Sequence, residues 1–360
     1  MMTNKKYLRI ILISTASVLL TFFLVLNPIA SVIVYESIFS DRYETPQWTE
    51  FFLSDFPGLL RSECKIETDY GIILAGYHYE KGERDCSPEG VVVIAHGLGG
   101  GGHNSYMPFV NYFAESGYLV FAYDATACDN STGEDVEGLP QGIKDLDSVL
   151  NFVQDCALYQ DLPVFLFGHS WGAYSSGCVL SMHPEVKAAV LISGFDQSTD
   201  MILQQGRNII GNMVTILSPS VLLYEKCKFG VWSDYSVTEG IENSDAKVLI
   251  VHSKDDETVL PENGYDKYYE IFGDTSRVSF ELYENRGHSY IFYSDMSKEY
   301  REMLNEEYLA YVEEHGGVHS AEIKTEFMRE HLDKEQCFAP DPELMEKILS
   351  LYASSVMEND

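Results

Sequence analysis

Residues 168–172 read Gly-His-Ser-Trp-Gly, directly after the apolar run Val164–Phe167. A serine between two glycines, at the point where a strand turns into a helix, demands a reversal so tight that only glycine fits on either side. The serine hydroxyl is then left alone at the top of a sheet. Small residues continue in Ala173, Ser175, Ser176 and Gly177, so a helix could lie close against the strand it leaves. Taken alone, the pattern also reads as a glycine-rich turn with a solvated serine. Residues further along the chain decide between the two.

A hydroxyl is a poor nucleophile at neutral pH and needs a base, and the base needs an acid to hold its tautomer. In sites of this kind the chain order is serine, acid, histidine. Downstream, Lys247–His252 reads as a buried strand followed by Ser253-Lys254-Asp255-Asp256-Glu257-Thr258-Val259. A carboxylate on a loop just past a strand is where the orienting acid belongs, and only one of Asp255 and Asp256 can face the base. The next strand, Arg277–Tyr283, leads into Asn285-Arg286-Gly287-His288-Ser289. This makes His288 the candidate base, beside a glycine that lets the loop aim the ring. Upstream, Val91–Ala95 runs into His96-Gly97-Leu98-Gly99-Gly100-Gly101-Gly102. A glycine-rich loop there lets backbone N–H groups approach a substrate oxygen. The Leu98 amide and the Trp171 amide are the expected oxyanion hole.

With these pieces in place the chain resembles an α/β-hydrolase of the monoacylglycerol-lipase and serine-aminopeptidase-like (S33-type) group. The resemblance rests on His96-Gly97, Gly168–Gly172, Asp256-Glu257-Thr258-Val259 and Gly287-His288, in family order across about residues 60–355. It implies an α/β-hydrolase fold and a catalytic triad of Ser170, His288 and Asp256. The family's D-x-x-V spacing, counted back from Val259, selects Asp256 and leaves Asp255 as a solvated loop charge. Two segments depart from the family. Asp124–Ser131 lacks the usual Arg-Gly, and the strand before the acid ends in His252-Ser253 rather than His-Gly. The implied activity is hydrolysis of a carboxylic ester, with amide hydrolysis or acyl transfer as alternatives on the same triad. A non-catalytic, membrane-tethered binding protein on a hydrolase scaffold is the reading from another class. No metal and no cofactor is expected.

Rival readings have specific weaknesses. Asp196, after the strand Ala188–Ile192, stands where a minority of such enzymes place the acid. His252 belongs to a strand end, while His315, His319 and His331 lie in an acidic helical tail. His96 and His169 are expected to pack or hydrogen-bond within their motifs. Gly97-x-Gly99-x-x-Gly102, with Asp124 further on, fits a dinucleotide fingerprint, but a hairpin precedes it and Ser170, Asp256 and His288 stay unexplained. It is no P-loop, since His103-Asn104 replaces Lys-Ser/Thr. Seven cysteines show neither C-x-x-C nor Cys/His metal spacing; Cys64 with Cys86 is a conceivable bridge, and Cys156 and Cys178 read as buried apolar residues.

The organisation is read from pattern. Lys5, Lys6 and Arg9 precede a nearly unbroken apolar stretch from Ile10 to about Tyr35, longer than a secretory h-region and long enough to cross a bilayer. Residues 1–35 are therefore expected to be a basic cytoplasmic tail and an uncleaved anchor, 36–60 an aromatic connector, and 61–360 the hydrolase domain. Basic residues before the span put the domain outside the cytoplasm, in a single-pass cell-membrane protein; secretion after cleavage is the alternative. A hairpin at 64–79 precedes strands alternating with helices, the signature of a mostly parallel sheet flanked by helices. Residues of about 194–246 are apolar and broken by glycines, and read as a helical cap over the serine or as ordinary covering helices. A cap of that composition suits a hydrophobic acyl substrate. The formal charge of −32 opposes nucleic acid as a partner.

Overall fold

Val91–Ala95 is apolar at every position because it lies in the middle of a sheet covered on both faces. The computed structural model describes residues 4–82 and 87–357. Eight strands form one sheet: β1 (Leu59–Glu67), β2 (Ile73–Lys81), β3 (Val91–Ala95), β4 (Leu119–Asp124), β5 (Val164–His169), β6 (Val186–Ile192), β7 (Lys247–Ser253) and β8 (Val278–Tyr283). Their order is β1-β2-β4-β3-β5-β6-β7-β8. The β1–β2 hairpin and the β2–β4 pair are antiparallel, and every other neighbouring pair is parallel. This is the α/β-hydrolase arrangement.

Alternation along each strand sorts side chains into two cores. Val91, Val93 and Ala95 join Ile143, Leu146 and Val149 of the helix Gln141–Asp155 on one face. Val92 and Ile94 join Phe109, Val110 and Phe113 of the helix Met107–Glu115, and Leu344, Ile348 and Tyr352 of Pro342–Met357, on the other. The chain builds outward from β3 in one direction to β4, then returns to place β5 on its other side. The carboxyl ends of β3 and β5 therefore flank the crevice where ligands bind in such sheets.

The N-terminal segment Lys6–Ile38 is one helical rod, long and apolar enough to cross a membrane or act as a signal sequence. Its first part stands free of the domain. A π-helical turn at Phe22–Leu26 precedes Pro28, which has no N–H to give. Beyond it, Asn27, Ser31 and Tyr35 are buried against the helix Val214–Phe229. The six cysteines other than Cys86 are free thiols, and Cys86 lies outside the described residues. Cys178 is buried, as its surroundings suggest, whereas Cys156 is only partly so.

Candidate active site

Ser170 follows β5 directly and adopts φ +55°, ψ −116°. That conformation costs an L-residue of the order of 1–3 kcal/mol, and the surroundings hold it there. The Ser170 amide donates to the Ile192 carbonyl at 2.8 Å, and its carbonyl accepts from the Tyr174 amide at 3.0 Å. The glycines are steric requirements. A Cβ on Gly172 would sit 2.0 Å from the Ala95 oxygen, and one on Gly168 2.5 Å from the Gly172 oxygen. The helix Trp171–Val179 is pinned through its first residue, whose indole donates to the Leu139 carbonyl at 2.7 Å.

His288 comes to this serine from the loop after β8. Its Nε2 lies 2.9 Å from Ser170 Oγ and its Nδ1 2.8 Å from Asp256 Oδ2. Asp256 is almost fully buried, and its Oδ1 accepts the Thr258 and Val259 amides, each at 2.9 Å. Burial works against its ionisation, but the His288 hydrogen bond and charge, with the Val259 amide, outweigh it and hold the carboxyl below its ordinary value. An ionised Asp256 accepts from Nδ1–H, which leaves Nε2 bare to accept from the serine hydroxyl. The order of hydrogen bonds is Ser170, His288, Asp256.

Asp255 has a different place from the solvated charge expected of it. It is exposed, yet Oδ1 accepts the Ser253 hydroxyl at 2.5 Å and the Gly287 amide at 2.9 Å. Ser253 Oγ in turn accepts the Arg286 amide at 2.9 Å. The Arg286 guanidinium pairs with Asp341 and Asp295 and stacks on Tyr283. The unusual serine after His252 thus belongs to a clamp on the loop that carries His288.

The glycine-rich loop after β3 lies alongside. Leu98 lines the cavity at Ser170. Among the described residues neither the Leu98 nor the Trp171 amide has a protein acceptor. His96 is buried; it accepts the Ala125 amide at Nε2, so Nδ1–H donates to the Gly97 carbonyl at 2.8 Å. His169 joins three loops. Tyr106 OH accepts the Gly97 amide at 2.9 Å and sits 2.7 Å from His169 Nδ1, while His169 Nε2 sits 3.1 Å from the His288 carbonyl. Burial, then the charge of His288, pushes His169 down to about 3, so the ring is neutral. Tyr106 was not visible as a site residue in the sequence; only the tertiary pairing reveals it.

The other candidates fall elsewhere. Asp196 accepts the Thr238 amide and pairs with Lys267. His252 is buried, 3.0 Å from the Val259 carbonyl and 3.5 Å from Asp256. His315 and His331 stack on Tyr311 and Phe327, and His319 meets Tyr308 edge-on. Asp124, the acid of the dinucleotide reading, is fully buried. It is occupied by the His103 amide and ring at 2.9 and 2.7 Å and by Tyr77 OH at 2.9 Å. No cluster of ligating side chains suited to a metal occurs among the described residues.

A cavity of about 340 Å³ opens at Ser170 and His288. Its apolar walls are Trp48, Phe51, Leu98, Tyr106, Phe292 and Phe338, among others, and none of its lining residues comes from 194–246. The connector before β1 forms one wall. It is tied there by Asp129, which accepts the Thr45 amide and hydroxyl and the Gly102 amide at 2.6, 2.7 and 2.8 Å.

Comparison with known proteins bears on the fold and on the central segment of the chain. Residues 86–237 match the family model Serine aminopeptidase, S33, a segment holding the glycine-rich loop and the serine turn. No curated protein sequence matches the chain significantly. Among solved structures, an esterase of Pyrococcus furiosus superposes with TM-score 0.53 at 15% identity, covering 76% of this chain and 98% of its own. A second crystal form of that esterase gives 0.53 at 17% identity, covering 73% and 95%. A Pseudomonas aeruginosa protein described as hypothetical gives 0.50 at 15% identity, covering 69% and 92%. At these identities the likeness speaks to the fold.

Proposed function

We propose that this chain, an α/β-hydrolase whose central segment matches the S33 serine aminopeptidase family, is a membrane-anchored serine esterase acting on hydrophobic acyl substrates. The observation that carries the reading is the unbroken hydrogen-bond order from Ser170 through His288 to buried Asp256. Ser170 Oγ attacks the ester carbonyl as its proton passes to His288 Nε2. The carbonyl oxygen becomes an oxyanion held by the Leu98 and Trp171 amides. His288 returns the proton to the departing alkoxide, leaving an acyl-Ser170. Water, deprotonated by His288, then releases the carboxylic acid and restores the serine. Asp256 stays ionised throughout and steadies the imidazolium.

The cavity wall supports an ester over an aminopeptidase substrate. Cleaving a residue from a free N-terminus requires a partner for the substrate ammonium, because a buried unpaired charge is costly. Among the described residues no Asp or Glu lines the cavity. The family match keeps amide hydrolysis as the second reading. The N-terminal helix serves in this proposal as an uncleaved anchor, with basic residues on the cytoplasmic side and the domain outside.

Turnover of p-nitrophenyl esters of graded chain length, beside aminoacyl p-nitroanilides, tests the choice. The esterase reading predicts turnover of the esters with a chain-length optimum and little on the anilides. Faster cleavage of the anilides would move the assignment to a peptidase.

A further inference from the structure

Asn208–Tyr224 carries no Asp, Glu, Lys or Arg, in a chain with 80 such residues among 360. The stretch is the turn of a helical hairpin, where Ser198–Ile210 gives way to Val214–Phe229. Apolar side chains at this turn point outward: Ile209 is 71% exposed, Met213 65%, Ile216 44% and Ile210 40%. Exposed apolar residues this concentrated mark a contact surface. They do not line the cavity at Ser170.

The neighbour of this turn identifies what covers it. Asn27 Nδ2 donates to the Ile216 carbonyl at 2.9 Å, and Ser31 Oγ lies 3.5 Å from the Leu217 carbonyl. Further along, Tyr35 OH donates to Glu225 Oε2 at 2.9 Å, and Glu36 accepts from Tyr224 OH and Lys228 at 2.6 and 2.9 Å. Contacts advance together on both helices, so Val214–Phe229 runs parallel to Asn27–Ile38 with its first turn at Asn27. The apolar part of the rod from Ile10 to Leu26 rises about 25 Å, and with the Lys6 and Arg9 side chains reaching the headgroups at its far end it spans a hydrocarbon core of about 30 Å. The boundary of the bilayer then falls near Asn27, level with the hairpin turn.

We propose that the hairpin turn around Ile209, Ile210, Met213 and Ile216 inserts into the leaflet next to the domain, a second membrane contact beside the spanning helix. The proposal rests on the reading of the apolar stretch from Ile10 to Leu26 as a membrane span. The polar docking of Asn27, Ser31, Tyr35 and Glu36 makes the two contacts one rigid unit. The domain is thereby fixed in its tilt on the membrane rather than swinging from a tether. The chain passes from this docked helix into the wall of the cavity at Pro46 and Trp48.

The test reconstitutes the full chain in phosphatidylcholine vesicles with bromine at defined depths on the acyl chains, and follows the emission added by single tryptophan substitutions over the parent. Met213→Trp is the probe, with Ile209→Trp as a second in case one substitution disturbs the fold. Leu19→Trp reports on the span. Leu158→Trp, 49% exposed before β5 at the other end of the sheet, reports on water. The proposal expects the emission added at 213 or 209 to shift to the blue and to be quenched most by bromine near the headgroups. Leu19→Trp should be quenched most by deeper bromine, and Leu158→Trp should not be quenched. Quenching at 213 and 209 no greater than at 158, with Leu19→Trp quenched, overturns the insertion and leaves the span standing. A blue shift without quenching assigns the patch to a second protein copy and equally overturns it. Absence of quenching at Leu19→Trp removes the span reading, and the insertion with it.

Discussion

Ser170, His288 and Asp256 are joined by hydrogen bonds in that order. Ser170→Ala and His288→Ala should each lower ester turnover by about 10⁴–10⁶-fold, with little further loss in the double variant, because the residues act as a unit. Asp256→Asn keeps the shape but favours the wrong imidazole tautomer, and should cost about 10⁴-fold in kcat. Asp255→Asn retains an oxygen for Ser253 and Gly287 and should stay within a few-fold of the parent; kcat and KM on one ester for the four single variants and the double check this. A larger loss from Asp255→Asn than from Asp256→Asn would reverse the assignment. His169 offers a test through stability. Its folded value of about 3 lies below the unfolded value of about 6.5. Between the two, the unfolded chain takes up a proton that the folded chain does not. Its contribution is therefore intact above about pH 6.5 and drains away as pH falls toward 3. His169→Gln should lower Tm at neutral pH through the lost Tyr106 and His288 contacts, and lose less further stability on acidification to about pH 4.5 than the parent does. Equal acid slopes for the two proteins would contradict a neutral buried His169.

Among the elements, the strand–loop junctions carry Ser170, Asp256 and His288, and the connector and the segment after His288 wall the cavity beside them. Trp48→Ala should therefore widen the chain-length profile toward longer esters, whereas Met213→Gln should leave it unchanged. One methylene in an apolar pocket is worth about 1–3 kcal/mol, so the shift should be graded. The kcat/KM profile across an ester series distinguishes them; a shift from Met213→Gln and none from Trp48→Ala would return residues 194–246 to the pocket. The strands were legible in the sequence because period and apolar runs are local signals. Val91–Ala95 is read to the residue, and β5 to β8 within about two residues at each end. The hairpin reads short, since β1 begins at Leu59 among exposed, charged residues that carry little signal. The serine turn, the acid loop and the histidine loop were also legible, each confined to a few consecutive residues. Tyr106 bonded to His169, Asp129 holding Thr45, and Asp255 gripping Gly287 were not. They join positions 32 to 84 residues apart, chosen by shape and hydrogen bonding, with no periodicity to betray them.

At the scale of the whole molecule, one sheet presents the serine at its carboxyl edge, and a helical rod docked on the same domain leads away from it. If the rod is an uncleaved anchor, the full chain should stay with membranes through a high-salt wash, since apolar insertion does not depend on screening. Protease added to cells stripped of their outer wall should digest the domain. Full protection would place the domain in the cytoplasm, and a mature N-terminus near Ser31 would make the segment a cleaved signal. Ser170 is expected to be an activated nucleophile in the folded protein, and covalent labelling reads this most directly. A fluorophosphonate probe added to the folded full chain should modify one residue, mapped by mass spectrometry to Ser170, with labelling abolished by Ser170→Ala and by prior unfolding. A folded chain whose Ser170 stays unmodified under conditions that label a known serine esterase would contradict the account and leave a binding protein on a hydrolase scaffold.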